Sequence, residues 1–120
     1  MDRSPPNWVV NKYQPRNILP FPSGEYDSFR NEIKRYIIDL VDNMKIGSDL
    51  KNMALNFADS IYWEPARPST LAGVCVLMAG SNQGVEFKML SYDIAKSQRK
   101  MVYSYYNWYP IIEKRVINNG

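Results

Sequence analysis

Beyond residue 24, apolar side chains return every three or four positions along most of this chain. Phe29, Ile33, Tyr36, Ile37, Leu40, Val41 and Met44 make one helical face, with Asn31, Lys34, Arg35, Asp39 and Asp42 mostly opposite. The pattern predicts a first helix capped by Asp27 or Ser28 and ended by a left-handed Gly47. Ser48, with Asp49 behind it, is placed to cap a second helix whose stripe is Leu50, Met53, Ala54, Phe57, Ala58 and Ile61; Trp63, Glu64 and Pro65 end it. The turn between the two is short, so they are expected to pack antiparallel.

Pro68 suits the first turn of a third helix, where an N–H is not needed. From Leu71 to Ala79 that helix has no polar face, so it is expected to be surrounded by the others and closed by Gly80. A fourth helix, from Val85 to Ala95, offers Phe87, Leu90, Ile94 and Ala95 to the core. A tight turn at Lys96-Ser97-Gln98 then leads into a fifth from Arg99 to about Trp108, lined inside by Val102, Tyr105 and Trp108 or Tyr109. Pro110 is expected to break or kink it, with Ile111-Ile112 starting a last short helix. No alternating strand pattern appears. The fold class is therefore all-α, with five core helices of which the central third is enclosed by the other four.

Length and composition agree with one domain of 120 residues. Pro5, Pro6, Pro15, Pro20 and Pro22 mark residues 1–24 as an extended arm, leaving 25–120 as the helical domain. No apolar run is long enough to span a bilayer, and no secretory signal is expected, since no charged-then-apolar pattern stands at residues 1–24. Cys75 is the only cysteine and no histidine is present, so neither a disulfide nor a zinc site can be built; a reducing, intracellular setting and no cofactor are expected.

The net charge of +3 is uneven. Residues 25–85 carry six bases and eight acids, while residues 86–120 carry six bases (Lys88, Lys96, Arg99, Lys100, Lys114, Arg115) and three acids. Residues 1–24 add Arg3, Lys12 and Arg16 against Asp2, so the excess positive charge lies at the two ends, an asymmetry that suits a polyanion partner. Catalysis has little support: there is no histidine base, no phosphate-cradling glycine loop, and Cys75 falls in the apolar third helix. Asp39 with Asp42, or Asp59 with Glu64, read as solvated charges on helix faces.

The stretch Arg67-Pro68-Ser69-Thr70-Leu71-Ala72-Gly73-Val74-Cys75-Val76-Leu77-Met78-Ala79 resembles the signature of the cyclin box. Leu90-Ser91-Tyr92-Asp93-Ile94-Ala95, followed by Val102 through Tyr109-Pro110, is similar to the second cyclin repeat of the transcription factor IIB family. The likeness spans roughly Tyr26 to Pro110, one repeat. It implies a five-helix cyclin-like fold whose last two helices form a helix-turn-helix on duplex DNA. Other faces would then meet a TATA-binding-protein-like factor or RNA polymerase. The chain departs from the family in having one repeat and no residues for a zinc ribbon. The family's base-reading positions fall near Arg99 and Val102 without their usual identities, so promoter specificity does not carry over. The kinase-contact pair of true cyclins, a lysine in the third helix and a glutamate in the fifth, has no match.

Under that resemblance Ser97, Gln98, Arg99 and Lys100 occupy the first turn of the recognition helix, with Lys96 before them and Tyr103 and Asn107 following on its outer face. Arg99 would reach a guanine edge, Gln98 an adenine, and Lys96 or Lys100 a phosphate. Five aromatics between Tyr103 and Tyr109 go right around the helix. Tyr106 and Trp108 are therefore read as partner-binding, or as covered by Trp8 and Tyr13 of the arm. The alternative function is a protein-interaction adaptor, homodimeric or not, without DNA.

Overall fold

The computed structural model describes the backbone of residues 23–119 and the side chains of residues 26–116. It consists of five helices: α1 (Ser23–Met44), α2 (Ser48–Ala58), α3 (Pro68–Asn82), α4 (Phe87–Gln98) and α5 (Val102–Asn119). Among the described residues there is no strand. Ser23 and Gly24 of the predicted arm lie in the first turn of α1; the rest of the arm, Trp8 and Tyr13 included, is outside the described residues.

The helical stripes fold inward much as their spacing requires. Ile33, Ile37, Leu40 and Val41 of α1 and Leu50, Ala54 and Ala58 of α2 are buried, together with Leu90, Ile94 and Ala95 of α4 and Tyr105 and Ile112 of α5. Tyr36 is the exception on α1, being 40% exposed at the border of the stripe. Along α3 every residue from Thr70 to Gly80 is buried, and the helix packs on each of the other four.

Helix ends differ from the predicted ones for a shared reason. α1, α3 and α4 each finish in a paired-bond turn. A residue two positions past the end of α1 and α4, and three past the end of α3, donates back to a carbonyl five positions earlier, and the residue just before that donor is left-handed. In α1 the bonds are Ile46 N–H to Val41 O (3.1 Å) and Lys45 N–H to Asp42 O (3.2 Å), with Lys45 at φ 58°. In α3 they are Val85 to Gly80 (2.9 Å) and Gly84 to Ser81 (3.2 Å), with Gly84 at φ 84°. In α4 they are Lys100 to Ala95 (2.9 Å) and Arg99 to Lys96 (3.3 Å), with Arg99 at φ 57°. The left-handed position thus falls to Lys45, not to Gly47, which instead caps α2 in an extended conformation. Gly80 does not end α3. It lies inside the helix, where the Leu90 side chain occupies the space a Cβ would need.

The largest correction concerns the end of α4. Lys96, Ser97 and Gln98 are helical, and Arg99, Lys100 and Met101 form the whole turn. α4 starts at Phe87, where the Glu86 carboxylate accepts the Met89 N–H at 2.7 Å.

α5 runs unbroken through Pro110 to Asn119. A proline inside a helix removes one backbone bond at a cost of about 3 kcal/mol. Contacts beyond it offset that loss: Ile112 is fully buried, and Arg115 reaches Glu64 with Nε at 2.6 Å from Oε2. Glu64, read from sequence as a solvated carboxylate, is only 3% exposed. It sits in the loop after α2, where its one cation arrives from a helix 51 residues away.

Candidate nucleic-acid interface

Two helices and a three-residue turn build a basic corner. Lys96 and Ser97 stand exposed on the last turn of α4, Arg99 and Met101 project from the turn, and Lys100 between them is half-buried. Tyr103 opens α5 at 63% exposure and Met101 is 67% exposed, so the corner carries apolar as well as cationic surface. Asn107 is exposed one turn beyond Tyr103 on the same face.

The charge at this corner is not neutralised from within. Between Phe87 and Pro110 the chain holds Lys88, Lys96, Arg99 and Lys100 against the single acid Asp93. Among the described residues, Arg30 pairs with Asp27, Lys34 with Asp59, Lys51 with Asp42 and Arg115 with Glu64. No carboxylate comes within 4.0 Å of Lys96, Arg99 or Lys100 in that set. Cations whose neighbours leave them unpaired keep their field for a ligand.

Gln98 has a different task from the one expected of it. Its Nε2 donates to the Ser69 carbonyl at 2.9 Å and its Oε1 accepts from the Tyr105 hydroxyl at 2.6 Å. The amide thereby joins α4 to α3 and α5, with one N–H and one oxygen lone pair engaged inside the fold. The start of α5 also belongs to Val102, Tyr103 and Ser104, so the bases precede the last helix and do not lie in its first turn.

The two expected partner-binding aromatics separate. Tyr106, 36% exposed, stacks on Phe87 (5.9 Å between centroids) and its hydroxyl lies 3.1 Å from Ser91 Oγ. Trp108 is half-buried against the core. Tyr109 meets Phe87 edge-on at 5.1 Å, so α5 folds back over α4. On α4 the exposed apolar residues are Met89 at 58% and Tyr92 at 51% exposure. Met89 and Tyr92 are one turn apart on α4, and Val85, 37% exposed, lies in the connection just before the cap residue Glu86.

A cleft of about 330 Å³ adjoins the corner. Tyr36, Asp39, Leu40 and Asn43 line it from α1, Ser69 from the start of α3, and Ser97, Gln98 and Lys100 from the end of α4. A second cleft of about 350 Å³ lies elsewhere, between Phe57, Met78, Tyr109 and Glu113. Burial there pushes the Tyr109 hydroxyl up, helped by the Glu113 charge and opposed by a hydrogen bond with Ser81. Burial likewise pushes the Cys75 thiol up to about 12, leaving it a core atom and no nucleophile. Among the described residues no three His, Cys, Asp or Glu side chains gather closely enough to hold a metal, and no helix is long and apolar enough to cross a membrane.

Set against known protein families, curated proteins and solved structures, the chain matches none significantly.

Proposed function

We propose that this chain is a nucleic-acid-binding helical domain that grips duplex DNA through the α4–α5 corner. In this reading the fold is cyclin-like, as its resemblance to the transcription factor IIB family implies, and other faces meet proteins of a transcription assembly. One observation carries the proposal: Lys96, Arg99 and Lys100 meet at a three-residue turn with no carboxylate partner among the described residues. Arg99 holds a left-handed conformation that glycine would adopt at less cost.

Phosphate contacts release counterions, so the test is a salt series on duplex DNA. Three contacts predict a log–log slope of roughly −2.7, and an Arg99→Ala/Lys100→Ala double variant should weaken binding by roughly tenfold or more. Absence of binding even at low salt removes the nucleic-acid reading.

The second reading, a protein adaptor, is favoured by the exposed apolar residues Val85, Met89 and Tyr92. Association through those residues is apolar and would vary little with salt. Light scattering with and without Met89→Ser/Tyr92→Ser distinguishes a two-fold dimer from a monomer.

A further inference from the structure

We infer that the cleft beside the basic corner receives one unpaired nucleobase bearing an exocyclic amino group. The inference rests on the nucleic-acid reading above and goes beyond it. It concerns a base drawn out of a strand and not the duplex groove.

The cleft and the corner share Lys100 and Ser97, so a strand whose phosphates lie on Lys96, Arg99 and Lys100 passes the mouth of the cleft. At about 330 Å³ the cleft sits near the lower end of the roughly 300–1,000 Å³ typical of ligand sites, enough for one nucleoside. Its walls divide as base recognition requires. Tyr36, 40% exposed, gives an aromatic surface for the flat face of a base, while Leu40 lines the cleft from the core at 3% exposure. Asp39, Asn43 and the Ser69 and Ser97 hydroxyls give hydrogen-bonding groups for its edge.

Asp39 sets the preference. Asp27, Asp42 and Asp59 each hold a cation in the fold, whereas among the described residues no cation lies within 4.0 Å of Asp39. Its carboxylate can only accept hydrogen bonds, and it repels a phosphate, which directs the backbone to the Lys100 side and the base to the Asp39 side. A carboxylate lining the cleft favours the amino group of cytosine, adenine or guanine over the carbonyl that thymine presents at the same place.

The experiment compares short unstructured oligocytidine and oligothymidine DNA strands, with matched duplex as a third ligand, by fluorescence anisotropy on the full chain. Oligocytidine is expected to bind roughly fivefold or more tightly than oligothymidine. Asp39→Asn should bring the ratio near one, while Lys100→Ala weakens both strands together. Thermal unfolding verifies that each variant is folded, and the ratio is internal to each variant, so a general loss of affinity does not imitate the effect. Equal binding of the two strands by the unaltered chain, or a preference that survives Asp39→Asn, overturns the inference and leaves the duplex reading standing. Failure of every strand and duplex to bind overturns both.

Discussion

Tyr105 shows how much one side chain organises here. It is fully buried, its hydroxyl donates to Gln98, and Gln98 passes the connection to the backbone of Ser69. The ring lies against Gly73, where a Cβ would overlap Tyr105 Cε1 and come within 3.0 Å of Gln98 Oε1. A ring pinned at its hydroxyl cannot yield, so Gly73→Ala should destabilise by about 1–3 kcal/mol in urea unfolding. At Gly80 the obstacle is the end of the Leu90 side chain, which can change rotamer. Gly80→Ala should therefore be the milder of the two, and the reverse order would show that the Tyr105 ring is loosely held. Burial also raises the Tyr105 hydroxyl to about 12 from 10.0, and Cys75 to about 12 from 9.0. Both groups are favoured protonated in the folded chain. Their contribution is complete below the unfolded values and is lost as pH rises through the folded ones, so stability should fall between about pH 9 and 12. Tyr105→Phe should flatten part of that fall in pH-dependent urea titrations, at the expense of about 1 kcal/mol at neutral pH from the orphaned Gln98 acceptor.

At the scale of the element, three helices end in the same turn, and only α3 gives the left-handed place to glycine. Lys45 and Arg99 occupy it in α1 and α4, each at a cost of about 1 kcal/mol relative to glycine. They form a natural pair of tests. Lys45→Gly and Arg99→Gly should each leave stability unchanged or raise it by up to about 1 kcal/mol in thermal unfolding. Only Arg99→Gly should weaken DNA. Equal loss of binding in both would mean that the corner acts by net charge alone. Glu86 makes the side-chain cap of α4, and Glu86→Ala should reduce stability by about 1 kcal/mol.

Across the whole molecule, the ion pair between Glu64 and Arg115 is what joins the loop after α2 to the far half of α5. Arg115→Met leaves a carboxylate that is 3% exposed without its charge partner and should cost several kcal/mol, about 3 by comparison with other buried pairs. Glu64→Gln removes the stranded charge and should cost less. Hydrogen exchange should then speed up beyond Pro110 in Arg115→Met and much less before it. Uniform acceleration along the chain would show that the pair supports the core as a whole and not the end of α5.

Hydrophobic spacing alone determined that the chain is helical, where its five core helices lie, and which faces of α1 and α2 turn inward, because a stripe at helical period can be buried in only one way. The apolar run in α3 and the excess of bases after residue 86 were legible for the same reason, being properties of composition along a line. Helix ends were not. Lys45 and Arg99 take a conformation that sequence assigns to glycine, and Pro110 stays helical because Ile112 and Arg115 find partners far away in the chain. Nor was the division of labour at the corner, where Gln98 turns inward to Tyr105 and Ser69 while Asp39, 60 residues before Arg99 in the chain, comes to line the same cleft. Those outcomes depend on which helices meet at that corner, and only packing in three dimensions decides that.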